Sequence, residues 1–462
     1  MSFNIPKTEE KRVVIVGGGF GGLRLANKLK KSNFQVVLID RNDYHQFLPL
    51  IYQVASAGIE PSSIAFPFRK LFQKRKNFYY RMAEVRSIFP KHKIIQTSIG
   101  KISYDYIVLA AGTTTNFFGN KDVADEAMPM KNVSEAMGLR NALLDNFERA
   151  LTCASEQERQ ELLNVVIVGG GATGVEIAGA LSEMKNFVLP KDYPDLPQSL
   201  MHIYLIEAGP RLLPAMSLDS SAHVEKYLRE MGVNVLLNKM VTDYKGHKVM
   251  LKDGSSIATR TFIWVSGVAA QPVGNLDASH LGRGRRIKVD EFNRVEGLDG
   301  VFCIGDQCIM PEGDPAWNGG HPQLAQVAIQ QGNLLAANLK RIEAGKGMKP
   351  FRYKNLGAMA TVGRNRAVAE FQKINLHGFF AWLIWLVVHL RSILGVRNKL
   401  IVLFNWMWNY LSYSQSLRMI IYAKKAKEVI EREKRLASSH WGTDLMSEGA
   451  DKDAEKVENK QA

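Results

Sequence analysis

Cysteine is scarce in this chain. Three occur among 462 residues, Cys153, Cys303 and Cys308, and they form neither a CxxC pair nor a zinc-binding spacing. That usage excludes a disulfide-stapled secreted fold and fits a reducing compartment. The opening MSFNIPKTEEKR lacks an apolar run and carries two acids, unlike a secretory signal or a transit peptide. No apolar stretch reaches the ~20 residues that a bilayer-crossing helix needs. With nothing crossing a bilayer, no proton-pumping path is expected. Motifs for metal ligation and for nucleic-acid binding are also missing, so neither is an expected partner.

What is present is an ordinary globular balance, 46% hydrophobic and 23% charged, long enough for two or three domains. The net charge of +15 suits an anionic partner. Its distribution favours a membrane surface. Ten Lys or Arg against three Glu lie between Arg391 and Arg435, beside the most apolar part of the chain. The cluster RKLFQKRK (Arg69 to Lys76) reads as a solvated face.

Two stretches nearly repeat each other. RVVIVGGGFGGLRLANKL begins at Arg12, and NVVIVGGGATGVEIAGAL begins at Asn164, an offset of 152 residues. In the first, VVIV reads as a buried parallel strand and LRLANKLKK as an amphipathic helix. Gly17, Gly19 and Gly22 complete G-x-G-x-x-G between them. They serve a tight turn, a close approach of backbone to pyrophosphate, and close helix–strand packing, in that order. The helix start then offers free N–H groups and its positive dipole end to phosphate. The run VVLID ends at Asp40, 23 residues after Gly17, where a carboxylate can hold the ribose hydroxyls.

The second copy supplies Gly169, Gly171 and Gly174. Its candidate ribose acid is Glu207, at the end of HIYLIE. The spacing is 38 residues, and the proline-bearing segment MKNFVLPKDYPDLPQSLM absorbs the excess. A carboxylate there repels a 2′-phosphate and favours NADH over NADPH, with Arg211 close enough to leave the preference open. Two cradles mean two dinucleotides, and electron transfer between FAD and a nicotinamide is the simplest chemistry that needs both.

VFCIGD (301–306) resembles the second FAD fingerprint of the two-dinucleotide-binding flavoproteins, in which the aspartate, here Asp306, contacts the ribityl–pyrophosphate region. YDYIVLAAGT (104–113) and FIWVSGVAAQP (262–272) share that resemblance. It implies FAD in the first cradle and NADH in the second, with the FAD domain split by an inserted NADH domain. The region RNDYHQFLPLIYQVASAG has no cysteine, against a disulfide reductase or a sulfide:quinone oxidoreductase. Cys303 reads as a buried structural thiol, and Cys308 alone does not make a dithiol relay.

HPQLAQVAIQQGNLLAANL (321–339) reads as one helix with Pro322 in its first turn. Gln326 and Gln330 share a face. Two neutral amides there can hydrogen-bond a quinone carbonyl or a flavin edge, or simply meet water. HQFLPLIYQVASAG, GGGATGVEIAGAL, AQVAIQ and YKNLGAMATVGRNRAV together resemble the bacterial type II NADH dehydrogenases, single-subunit NADH:quinone oxidoreductases, over about residues 10 to 425. The resemblance implies that Gln326 borders the quinone head group and that Gln330 completes the motif. It also implies that Glu176 reaches toward nicotinamide and flavin. The plainer reading of Glu176 is an acid complementing the helix dipole. Arg24 stands at the equivalent position of the first copy, and the sequence assigns it no partner.

The implied FAD site comprises Gly17, Gly19, Phe20, Gly21, Gly22, Asp40, Arg41, Val85, Ala111, Gly112, Asp306, Ala325 and Gln326. The implied NADH site comprises Gly169, Gly171, Thr173, Gly174, Glu176, Glu207 and Gly267. Glu176, Gln326 and Gln330 carry the expected chemistry.

FFAWLIWLVVHL (379–390) and LIVLFNWMWNYL (400–411) are apolar but too short to span. Four of the seven tryptophans lie between Trp382 and Trp408, a composition suited to the membrane interface. Two helices lying in one leaflet are expected, with Arg418, Lys424, Lys425 and Lys427 on lipid head groups; a buried core or dimer contact is the alternative.

The expected fold is α/β, with two Rossmann-like dinucleotide-binding domains and a helical membrane-binding C-terminus. Its divisions are FAD domain 1–120, NADH domain 121–289, FAD domain 290–372, membrane and dimerisation helices 373–425, and a charged, disordered tail 426–462. A homodimer on the inner face of the cytoplasmic membrane, using menaquinone or ubiquinone, completes the expectation. Two other classes stay open: an NADH- and FAD-binding interaction protein of apoptosis-inducing-factor type, and a ferredoxin or rubredoxin reductase.

Overall fold

The computed structural model describes residues 3–73, 75–372, 374–412 and 418–420. Lys424, Lys425, Lys427 and the tail 426–462 lie outside the described residues.

Two five-stranded parallel sheets dominate. The first runs Val301–Cys303, Tyr106–Leu109, Arg12–Val16, Gln35–Asp40, Phe78–Met82. The second runs Met128–Pro129, Thr261–Trp264, Val165–Val168, Ile203–Ile206, Val233–Leu236. The two VVIV runs are the central strands. They are buried on both sides, which is why they are continuous β-branched runs instead of alternating ones. The first sheet takes its edge strand, Val301–Cys303, from beyond the whole second sheet, so the first layer is split in sequence. A short antiparallel pair, Thr113–Thr115 with Val268–Ala270, links the two layers.

After the long helix Ala325–Glu343, a three-stranded antiparallel sheet of Ala358–Thr361, Ala367–Phe371 and Ile374–His377 leads into the helices Gly378–Ser392 and Val396–Ser412. Each helix has two characters. Ala381, Trp385, Asn398 and Val402 are buried against the body, while Phe380, Val387, Phe404, Trp408 and Leu411 are exposed. Polar side chains tie down the inner face. Asn398 Nδ2 donates to the carbonyls of Ser62 and Ser63, Asn409 Nδ2 to that of Gly58, and Trp406 Nε1 to Gln53 Oε1. Asn409, which interrupts the apolar run 400–411, is therefore a docking group, as is Asn398 ahead of it. Among the described residues, no helix is long and apolar enough to cross a membrane.

Two local expectations change. Helix 325–343 starts at Ala325, not at Pro322, because Leu324 is extended, its N–H turns back to the Pro322 carbonyl, and Gln323 Nε2 donates to the Asp306 carbonyl. The RKLFQKRK cluster is not simply solvated, since Arg69 lies over the Tyr80 ring and Arg75 over those of Phe72 and Phe78.

Candidate functional site

The two cradles have the same construction. Gly17 has φ 100° and Gly169 has φ 118°, a region open to glycine and strained for other residues. A Cβ on Gly22 would lie 1.9 Å from the Gly17 carbonyl oxygen, and one on Gly174 would lie 1.9 Å from that of Gly169. Those contacts weld each helix to its strand. A Cβ on Gly19 or Gly171 would meet nothing within 4 Å, so the middle glycine of each cradle faces open space. The acids expected to hold ribose also match in their surroundings. Asp40 accepts from the Gly18 and Asn42 N–H groups at 2.6 and 2.8 Å. Glu207 accepts from those of Gly170 and Gly209 at 2.6 and 2.7 Å. Burial pushes the Asp40 carboxyl up, and its two N–H donors pull it back. Arg211 spends its guanidinium on the carbonyls of Pro214, Met216 and Ser217.

Helix capping divides the helices, and helix Gly378–Ser392 shares the bare pattern of the cradle helices. Helices Val133–Thr152, Glu156–Leu163 and Leu218–Glu230 each have a side-chain N-cap (Asn132, Ser155, Ser217) and an acid in the first turn. Helices Phe20–Lys28, Ala172–Glu183 and Ala325–Glu343 have neither. Their N-termini keep free N–H groups and an uncompensated positive dipole end, as an anion or an electron-rich ring requires. The residues present thus fit a dinucleotide at each cradle.

A glutamine network that sequence reasoning missed braces the third bare helix. Gln331 Oε1 accepts from the Gly305 N–H at 2.7 Å. Buried Gln307 accepts from the Ala111 N–H and donates to the Gln271 carbonyl, both at 2.8 Å. It therefore joins the AAGT turn of the first layer to the AAQP turn of the second. Burial raises the Asp306 carboxyl, opposed by the nearby charges of Lys131 and Arg286; burial lowers Lys131. His45, also missed, holds the Gly18 carbonyl through Nδ1 at 2.9 Å, and Phe20 packs edge-on against its ring.

The two glutamines of AQVAIQ grip backbone. Gln326 Nε2 donates to the Gly357 carbonyl, and its Oε1 accepts from Leu356 N–H, both at 2.9 Å. Gln330 makes the equivalent pair with the carbonyl and N–H of Lys354 at 2.8 and 3.0 Å. Their shared face clamps the segment 354–357 along the helix as a ladder partner would. Helix 325–343 also lies against helix 20–28. A Cβ on Gly332 would come within 2.6 Å of the Gly21 carbonyl oxygen, and Arg24 Nε donates to Asn333 Oδ1 at the exposed edge.

Glu176 goes the other way. It is buried, and desolvation pushes its carboxyl up to about 8, against the pull of the Thr361 backbone N–H and the Trp385 indole. Gly179, nearly one turn on, permits this burial. A Cβ there would lie 2.9 Å from Gly363 N, so the helix packs directly on the 358–363 strand and loop. Beside it, a cavity of ≈ 400 Å³ opens between the C-terminal helices and the body. Its walls include Tyr52, Gln53, Trp382, Trp385, Trp406 and Met407, with Glu183 and Arg364 as charged members.

The remaining expected residues are more dispersed. Arg41 is exposed, Val85 is half-buried on strand Val85–Phe89, and Thr173 is half-buried in the first turn of its helix. Gly112 and Gly267 both have positive φ at the layer junction. Cys303 and Cys308 are free and buried, and the Cys308 thiol donates to the Gly305 carbonyl at 3.3 Å beside the Gln331 amide. No metal-ligating cluster occurs among the described residues.

Residues 11–332 match the pyridine nucleotide-disulphide oxidoreductase family, and residues 355–413 match the NDH2 C-terminal domain. A type II NADH:quinone oxidoreductase of Mycobacterium tuberculosis, NdhA, is 34% identical over 91% of this chain and 93% of its own length. A Haemophilus influenzae enzyme of the same description is 31% identical over 78% of this chain and 87% of its own. The solved structure of NDH2 from Plasmodium falciparum in complex with NADH superposes with a TM-score of 0.82 at 21% identity, covering 90% of this chain and all of that one. The sulfide:quinone oxidoreductase of Aquifex aeolicus shares the fold at a TM-score of 0.67 and 19% identity over 87% of this chain and 96% of its own. The chain belongs to the type II NADH:quinone oxidoreductase family.

Proposed function

We propose that this chain is a FAD-dependent enzyme that passes electrons from NADH to a membrane quinone, menaquinone or ubiquinone, without translocating protons. The observation that carries this reading is the set of bare helix N-termini, two of them ending cradles with a ribose acid, joined through Gln307. FAD, when bound, supplies the two-electron carrier between donor and acceptor. Gly17, Gly19, Gly22 and Asp40 hold it at the dinucleotide end. Asp306 and the start of helix 325–343 meet its other half, where the helix dipole favours negative charge. Gly169, Gly171, Gly174 and Glu207 hold NADH. Glu176, a neutral acid below about pH 8, serves as the proton-holding group on the nicotinamide side. Gln326 and Gln330 fix the segment 354–357 and so shape the quinone end, where uncharged amides polarise without titrating.

The exposed aromatic faces of helices 378–392 and 396–412 lie on an anionic membrane surface at the inner face of the cytoplasmic membrane, and a second copy pairs through this region. The apolar cavity beneath them suits a quinone arriving from lipid. The test is NADH oxidation by the full-length protein with a short-chain quinone in detergent and with a long-chain quinone in anionic vesicles. A variant with Phe380, Phe404, Trp408 and Leu411 changed to Ser is compared in both. Both proteins turn over the short-chain quinone, and only the unaltered one uses the vesicle-bound quinone. Flavin reduction by NADH that stalls against every quinone would overturn the enzyme reading.

A further inference from the structure

We propose that Asp314 and His321 are positioning residues: together they latch the segment 354–357 against the start of helix 325–343 and so govern the quinone half of the reaction. This inference rests on the quinone end being shaped by that segment, as given above.

The latch converges on one atom. Asp314 Oδ2 lies 3.0 Å from His321 Nε2 and accepts from the Tyr353 N–H at 2.9 Å. Its other oxygen accepts from the Ala316 N–H at 3.3 Å. The Asp314 and His321 side chains are 3% and 2% exposed. Burial pushes the Asp314 carboxyl up, and the hydrogen bonds from His321, Tyr353 and Ala316 carry it below its ordinary value. An ionised carboxylate only accepts, so the hydrogen between the two side chains sits on His321 Nε2. The imidazole is enclosed by rings, with Phe351 edge-on at 5.1 Å, Tyr353 at 5.9 Å and Trp317 at 6.3 Å. A polar pair in such surroundings is costly to bury, and apolar side chains of the same volume would fill the space at least as stably. What the pair supplies is a fixed geometry.

That geometry joins the two chain segments that flank the helix. His321 stands four residues before Ala325, where the helix begins. Its carbonyl accepts from Arg286 Nη2 at 3.0 Å, so the approach to the helix is held at backbone and side chain alike. Tyr353 stands next to Lys354, the residue that Gln330 grips. Three amides of the helix hold this covering segment from within: Asn338 at Lys349, Gln330 at Lys354, and Gln326 at Leu356 and Gly357. Between the first two grips, the segment is held from outside the helix. There Asp314 takes the Tyr353 N–H, and the Glu291 carbonyl accepts from the Phe351 N–H at 2.6 Å. Breaking the latch therefore loosens the segment beside Lys354 and, at the same time, the turn that leads into Ala325.

The experiment uses the full-length holoprotein and two readouts. Amide hydrogen exchange of the peptide 349–357 reports the latch itself. Stopped-flow absorbance gives the ratio of two rates, flavin reoxidation by a short-chain quinone and flavin reduction by NADH. His321→Phe keeps a ring and removes the donor. Exchange of the peptide rises about tenfold, the effect of losing a hydrogen bond to a charged group. The rate ratio falls about tenfold, because misplacement at a reacting end is costly. His321→Gln, which presents an N–H near the Nε2 position, restores both. Asp314→Asn leaves one oxygen for three donors and moves both readouts in the direction of His321→Phe. Wild-type exchange in His321→Phe and Asp314→Asn, or failure of His321→Gln to restore either readout, overturns the proposal. Gln330→Leu separates the latch from the reading beneath it. A ratio lowered by Gln330→Leu but not by His321→Phe strikes the latch alone, whereas a ratio unmoved in both strikes the quinone-end reading.

Discussion

The two cradles share the order of four of their five strands, their glycine geometry and their acid-to-glycine hydrogen bonds, and they differ at the fifth residue of the helix. In the first copy Arg24 turns outward to Asn333. In the second Glu176 turns inward and is desolvated. The surroundings decide this. Helix 20–28 lies against helix 325–343, which leaves Arg24 at an exposed edge. Helix 172–183 is covered by the 358–363 strand and loop and by the C-terminal helix. The same device thus leaves its fifth residue at an exposed edge in one place and desolvated in the other, according to what is packed over it.

The largest effect expected from breaking this symmetry is in the glycines. Gly22→Ala places a Cβ 1.9 Å from a carbonyl oxygen, a clash that only separation of helix and strand relieves. The purified protein should carry no FAD, as its absorption spectrum will show.

Next comes Glu176→Gln. The carboxyl is raised from 4.5 to about 8 in the folded chain, so its neutral form is the native one. Its contribution to stability is fully present below about pH 4.5 and is lost as pH rises through about 8. Denaturation midpoints of wild type and Glu176→Gln should therefore diverge across that window, with the wild type losing ground on the alkaline side. FAD stays bound, and nicotinamide affinity or turnover falls.

A smaller effect follows from Glu207→Ala, which leaves the Gly170 and Gly209 N–H groups without their carboxylate and removes the ribose acceptor. NADH affinity should fall by about tenfold, the equivalent of ~1.4 kcal/mol, with FAD content unchanged. Equilibrium titration of the holoprotein measures both. The smallest effect is that of Arg24→Ala. An exposed side chain with one hydrogen bond is expected to change stability by less than ~0.5 kcal/mol, and a denaturant titration that finds far more would show Arg24 to be more than an edge contact.

The cradles are legible in sequence because a buried parallel strand, a glycine turn and a helix each leave a local pattern. The acid at Glu207 is legible despite its long spacing, since the insertion is absorbed by the turn Met184–Val188 and the helix Leu189–Asp192 before the strand begins. Gln307, Gln331 and His45 are not legible, because each acts on backbone brought near only by tertiary folding. The contact of Cys308 with the Gln331 amide is hidden for the same reason. Gln326 and Gln330 show a subtler limit: helical spacing places them on one face, but only the fold reveals that this face grips the segment 354–357. The C-terminal helices read as apolar on all sides, and the inner half of that apolarity turns out to be core. Cutting the chain before Phe379 would accordingly remove buried Ala381, Trp385 and Val402 from the core as well as remove a surface.

The central claim is that the first cradle holds FAD and the second holds NADH. The most direct test is Gly174→Ala, whose added Cβ closes on the Gly169 carbonyl as its counterpart does at Gly22. Mixed anaerobically with NADH, the variant should retain its full flavin absorbance and fail to be bleached at NADH concentrations that reduce the wild type. Loss of FAD from Gly174→Ala, with normal bleaching in Gly22→Ala, would contradict the assignment.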